Sequence, residues 1–184
     1  MQTSFYRLDA TGVSDQFRWL TVDLPPIIEL RNKLLPHSDR VSMCAQSALD
    51  FSWMDRVNDT DGVFITAEGL LMYLQPADAL GLITECARRF PGGQMMFDLP
   101  PPWFAAWARR GMRTSLRYKV PPMPFSLSVR QVANLVNTVP GIRAVHDLSL
   151  PAGRGKVLNA LLWTLHRVPL LDPVRPVWTL LEFG

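Results

Sequence analysis

The chain has 184 residues, 48% of them hydrophobic and 19% charged, with a formal net charge of +3. That composition suits one globular domain with a real core rather than a low-complexity or fibrous chain. Lys and Arg are scattered rather than massed, so nothing argues for a nucleic-acid partner.

Residues 17–22 read as a strand ending at Asp23. Leu24, Pro25 and Pro26 then start a helix running to about Leu35. Prolines suit a first helical turn, and Ile27, Leu30 and Leu34 recur at helical spacing. Residues 41–46 form a second short strand and 63–67 a third, apolar enough for burial on both faces. Residues 76–90 form a helix with Leu80, Ile83, Ala87 and Phe90 on one face, and Arg88 and Arg89 complement the dipole of its last turn. Pro91, Gly92 and Gly93 end it, and residues 94–97 form a fourth strand reaching Asp98. Repeated strand–helix alternation predicts a parallel α/β sheet, in which ligands bind beyond the C-terminal strand ends. Asp23, Glu68 and Asp98 all fall at such ends. Any one of them alone reads as a solvated turn or a helix cap; three in sequence point to a site.

After Asp98 comes a proline-rich stretch, an amphipathic helix over residues 103–110, and a loop or lid at 120–125. A helix over 128–139 has Ser128 as its N-cap. A strand at 145–150, a helix at about 156–167 and a closing strand at 177–183 complete the chain, which is read as a single domain over 1–184. Cys44 and Cys86 sit in apolar runs and read as reduced core thiols. His37, His146 and His166 have no neighbours at zinc-site spacing, so no metal is expected. The start of the chain lacks a signal-peptide pattern, and its longest apolar stretch, residues 157–165, is too short to cross a bilayer. A cytoplasmic protein without a membrane span is expected, its oligomeric state open.

The runs RWLTVDLPPIIELRNKLLP, SALDFSWMD, GVFITAEGLLMYL, RRFPGGQMMFD and PAGRGK…LLEFG occur in the order found in the leucine carboxyl methyltransferase family. Within it the chain most resembles the tetracenomycin-type polyketide O-methyltransferase branch, from about Phe5 to Gly184. The resemblance implies a Rossmann-like class I methyltransferase sheet with helices on both faces. It also implies S-adenosylmethionine as cofactor and a small polyketide-like or lipid-like methyl acceptor. Asp23 matches the acidic residue that accepts from the ribose hydroxyls. Ser47 and Ala48 fall at the adenine contacts, although many members carry Asp at the Ser47 position; Asp50 aligns one turn too far along. Glu68 and Gly69 match the motif at the methionine end. Tyr73 is a candidate for the methyl-transfer pocket, with core packing as the rival reading for it and for Met72. Asp98 either contacts substrate or caps the next segment. Arg154, in a Gly–Arg–Gly turn, is either structural or an anion contact.

In the family a first strand and a glycine-rich turn precede a run resembling LDTRFYRL; this chain begins MQTSFYRL. The first strand and the cofactor loop are therefore expected to be missing, and the chain to be a truncated product. Loss of that central strand separates the strands ending at Asp23 and Gln46 from those ending at Glu68 and Asp98. Each buried orphan backbone group costs ~1–3 kcal/mol against a total stability of ~5–15 kcal/mol. The leading expectation is an O-methyltransferase acting on a carboxylate or hydroxyl, with weakened cofactor binding. The rival is a non-catalytic remnant acting as an interaction module. A carboxylate acceptor needs no general base; for a hydroxyl, His146 is the nearest candidate and reads better as structural. An apolar helix with basic ends around Arg154–Arg167 suggests a membrane-surface role, but a buried helix explains it better.

Overall fold

The computed structural model describes residues 5, 12, 17–115, 118–149, 155, 160, 164 and 167–184. The strands fall into two sheets, one in each of two compact units, residues 1–58 and 59–184.

In the first unit β1 (Trp19–Asp23) pairs in parallel with β2 (Val41–Ala45), in register from Trp19↔Val41 to Asp23↔Ala45. A parallel pair needs a long crossover, and α1 (Pro25–Leu34) supplies it, with proline in its first turn. Its buried stripe is Ile28 and Arg31, while Leu30 and Leu34 are exposed. The face expected from Ile27, Leu30 and Leu34 is therefore not the one that docks. α1 carries apolar residues on two sides, and a two-stranded sheet is wide enough to cover only one. Phe5 is buried, its ring 6.1 Å from that of Trp19, with the Arg40 guanidinium 5.9 Å from its centroid.

The second unit holds β3 (Phe64–Ala67), α2 (Pro76–Arg89), β4 (Gln94–Leu99), α3 (Pro102–Arg109), α4 (Val129–Ala133), α5 (Leu135–Thr138), β5 (Ile142–Asp147) and β6 (Val177–Phe183). The sheet order is β3-β4-β6-β5. β3 and β4 are parallel, but β6 runs antiparallel to both β4 and β5, so the sheet is mixed rather than wholly parallel. Alternation in β4 and β6 places Met95, Phe97 and Leu99 opposite Leu181, Thr179 and Val177, all on one buried face. α2 buries Ala79, Leu82, Ile83, Cys86 and Ala87 at helical spacing. Gly141 (φ +84°) turns the chain into β5, where a Cβ would lie 3.2 Å from that of Ala87.

Two further expectations shift. The helix predicted over 128–139 divides at Asn134, whose carbonyl accepts from Asn137 N–H and Thr138 Oγ1 and whose side chain accepts from Asn137 Nδ2. Such local side-chain bonds compete with a regular helical ladder. The strand predicted at 145–150 begins three residues earlier, at Ile142. The predicted helix at 156–167 and the Gly–Arg–Gly turn lie outside the described residues, save isolated positions. Among the described residues β1 and β2 form one sheet and β3 to β6 the other, so that β1 has one neighbour in its sheet and β3 stands at the edge of the other.

Candidate functional site

Parallel strands finish on the same side, so the ends of β1 and β2 present Asp23 together with the turn after Ala45. Asp23 Oδ1 accepts the Leu24 N–H at 2.9 Å, steadying the strand-to-helix turn in place of a side-chain cap on α1. Its second oxygen has no partner among the described residues.

The turn after β2 is knit internally. Ser47 Oγ accepts the Leu49 N–H at 3.2 Å, and the Ala48 carbonyl accepts Trp53 Nε1–H at 3.1 Å. Gln46 Nε2 donates to the Asp50 carbonyl at 2.8 Å. Asp50 Oδ1 accepts from both Ser52 N and Ser52 Oγ, capping the 3₁₀ turn Phe51–Arg56. Asp50 is thus committed to a cap, while Ser47 stays exposed at the strand end.

The second cluster joins β3 to β4. Glu68 follows the last residue of β3, and Gly69 then turns the chain at φ +62°, a conformation that L side chains resist. The turn aims the Gly69 N–H at Asp98 Oδ1, 2.6 Å away and 29 residues along the chain. This single bond ties the ends of two adjacent parallel strands. Sequence reasoning named the residues separately and missed their connection; the glycine directly after a strand-end acid was the available signal. Burial pushes the Asp98 carboxyl above the ordinary carboxylate value. Hydrogen bonds from Gly69 and from its own backbone pull it back, and the neighbouring Glu68 charge pushes it further up. Two acids held this way favour a cationic visitor. The position a Gly69 Cβ would occupy has no heavy atom within 4 Å, so the approach is open.

The 3₁₀ turn Leu71–Tyr73 buries Leu71 and Met72 but leaves Tyr73 at 45% exposure. Core packing thus accounts for Met72 and not for Tyr73. The proline-rich stretch after Lys119 is irregular, as expected, and it is anchored: Val120, Met123 and Phe125 are buried. Phe125 N–H donates to the Met72 carbonyl at 3.4 Å, and Arg109 Nη1 to the Met123 carbonyl at 3.1 Å.

His146 lies on β5, two strands from Asp98. Its Nε2 is 3.1 Å from Glu182 Oε1, while Arg143 donates to the other Glu182 oxygen at 2.8 Å. That engagement fits a structural histidine. Also unforeseen is buried Arg175, which holds Asp147 with both terminal nitrogens and Asp172 through Nε at 2.9 Å, clasping the end of β5 to the start of β6. Among the described residues no group of three or more His, Cys, Asp or Glu could hold a metal, and no helix is long and apolar enough to cross a membrane.

No family model matches the chain. The tetracenomycin polyketide synthesis O-methyltransferase TcmP of Streptomyces glaucescens is 29% identical over 172 residues, covering 94% of this chain and 56% of its own length. The chain thus spans about half the length of that curated relative. Among solved structures, LepI in complex with SAM superposes with a TM-score of 0.57 at 14% identity, over 98% of this chain and 40% of its own. An O-methyltransferase family protein from Burkholderia thailandensis gives 0.56 at 16% identity, over 97% and 47% respectively. The chain has the class I S-adenosylmethionine-dependent methyltransferase fold, and the resemblance to tetracenomycin-type O-methyltransferases read from its sequence is borne out.

Proposed function

We propose that this chain is the binding core of an S-adenosylmethionine-dependent O-methyltransferase that methylates a carboxylate or hydroxyl oxygen of a small polyketide-like or lipid-like molecule. The observation that carries the reading is the Gly69–Asp98 bond at the ends of β3 and β4, with open space over Gly69. Bound S-adenosylmethionine would supply a methyl group made electrophilic by its sulfonium centre. The residues present fit such a cationic ligand: two neighbouring acids, one held above its ordinary pKa by burial, and a glycine that leaves room.

Each residue then has a part. Asp23 offers its second oxygen to a ribose hydroxyl, a bond strengthened by the carboxylate charge. Ser47 and Ala48 border the adenine, with Ser47 a weaker partner than the Asp common in relatives. Glu68 and Gly69 hold the methionine end, and Tyr73 and Asp98 border the acceptor. The transfer that bound S-adenosylmethionine would supply, an oxygen–carbon bond formed as the carbon–sulfur bond breaks with its electron pair left on sulfur, would ask these residues to position the acceptor oxygen in line with the methyl carbon. A carboxylate acceptor arrives deprotonated and asks only for positioning and exclusion of water. With His146 engaged by Glu182 on a distant strand, a carboxylate is the acceptor these residues serve best.

A thermal melt with S-adenosylhomocysteine tests the reading. A ligand that binds only the native state stabilises it, by about 1.4 kcal/mol at ten times its Kd. The melting temperature of the wild-type chain is expected to rise with ligand, and Asp23→Asn and Glu68→Gln to shrink that rise. A transition indifferent to millimolar ligand overturns the proposal.

A further inference from the structure

The net charge of +3 hides a segregation. Residues 99–146 hold seven Lys and Arg and not one Asp or Glu, leaving twelve cations against sixteen anions elsewhere. The cations look scattered along the chain because it is the anions that are withheld.

The structure gathers the centre of this run. α3 ends in Arg109 and Arg110, and Gly111 (φ +92°) turns the chain away. The chain then doubles back through an antiparallel bridge that sets Arg113 directly opposite Lys119. A Cβ on Gly111 would lie 3.2 Å from Lys119 Cε, so the lysine stem crosses the glycine beside Arg110. The helix dipole accounts for cations in the last turn of α3. It does not account for Arg113 facing Lys119, because like charges directly opposite on paired strands destabilise the pairing. Among the described residues neither of these two side chains has an anionic partner.

The same unit exposes large apolar side chains on α3, which leads into this turn, and at the residue before Lys119. Trp103 and Trp107, one helical turn apart on α3, are 51% and 54% exposed, and Tyr118, which precedes Lys119 in the chain, is 55% exposed. Arg110 continues the Trp103–Trp107 face. Trp103 Nε1 donates to the Val174 carbonyl at 3.2 Å, tying α3 to a turn whose Leu170 is 88% exposed.

We propose that this surface docks on an anionic lipid bilayer. Tryptophan and tyrosine suit the headgroup boundary, being apolar in body and polar at one tip. Arg and Lys reach lipid phosphates while their stems lie along apolar surface. An exposed Leu170, close in the chain to the Val174 carbonyl that Trp103 holds, matches an interface that accepts apolar side chains without a shaped pocket. Charge complementarity selects the anionic surface over a neutral one. The inference is independent of methyl transfer, although bilayer docking would bring the chain to apolar acceptors.

Sedimentation of the full chain with vesicles is the test. Binding is expected to vesicles containing phosphatidylglycerol, not to pure phosphatidylcholine, and to weaken as salt screens the charges. Each Lys or Arg near an anionic bilayer strengthens binding about fivefold, so the R113Q/K119Q double variant should bind about twenty-five-fold more weakly. The R113K/K119R exchange should keep binding, and Trp107→Ala should weaken it while leaving the salt dependence intact. Equal binding to both vesicle types, or none to either, overturns the proposal. Retention on immobilised polyglutamate without vesicle binding would also overturn it, because the counter-surface would then be an acidic polypeptide.

Discussion

The carboxyl of Asp98 is raised first by burial and then by Glu68, against the pull of the Gly69 N–H. The native chain therefore holds this proton more tightly than the unfolded chain does. Well below the ordinary aspartate value of 3.8 both states are protonated and Asp98 makes no difference to stability. As pH rises from there to the raised native value, the unfolded state releases its proton first, and stability falls with pH. Asn cannot ionise, yet its Oδ1 can still accept from Gly69. The prediction is that wild type loses stability relative to Asp98→Asn as pH rises from about 4 towards neutrality, read from urea midpoints of both proteins across that range. Glu85 and Glu182, lowered by hydrogen bonds from Arg88 and Arg143, act in the opposite sense in both proteins and cancel in the difference. A difference that rises with pH would mean that the donors around Asp98 outweigh its burial, and a carboxylate so stabilised would need no cation.

Elements are where the sequence spoke most clearly. β3, β4 and β6 lie within a residue or two of their expected positions, because apolar runs bounded by Gly, Pro or Asp leave few alternatives. The antiparallel course of β6 was not legible, since an apolar strand reads the same in either direction and only its pairing with β4 and β5 reveals its sense. The docking face of α1 was misread for want of knowing the width of its sheet. At the candidate site, strand-end acids could be found one by one, whereas the bond between Gly69 and Asp98 depends on strand order and register. β6 also carries an anomaly that alternation alone hid: Thr179 takes a core position opposite Phe97, and its buried hydroxyl has no hydrogen-bond partner among the described residues. Thr179→Val keeps the shape and removes the stranded hydroxyl, whose burial costs about 1–3 kcal/mol. An increase in unfolding free energy of about 1 kcal/mol is expected by urea denaturation. A loss of stability would show that the hydroxyl has a partner in solution.

At the scale of the whole molecule the chain is two units whose described residues form very unequal sheets, two strands in the first and four in the second. Two-stranded sheets are marginal alone, whereas three or more strands with a buried face can hold themselves. Each unit carries one buried free cysteine, Cys44 on β2 and Cys86 on α2, so each reports its own opening. Burial pushes the Cys86 thiol up to about 12, which keeps it inert while its unit is closed. Cys44 is fully buried, its Sγ 3.1 Å from Gln46 Oε1. Alkylation of either one therefore proceeds through an opened state, at a rate set by the free energy of that opening. Pulsed alkylation read by mass spectrometry should modify Cys44 well before Cys86 in native buffer. Equal rates would mean that the two units open together and behave as one cooperative domain. Cys86 reacting first would contradict the inference from strand number and place the weakness in the larger sheet, beside Glu68, Gly69 and Asp98.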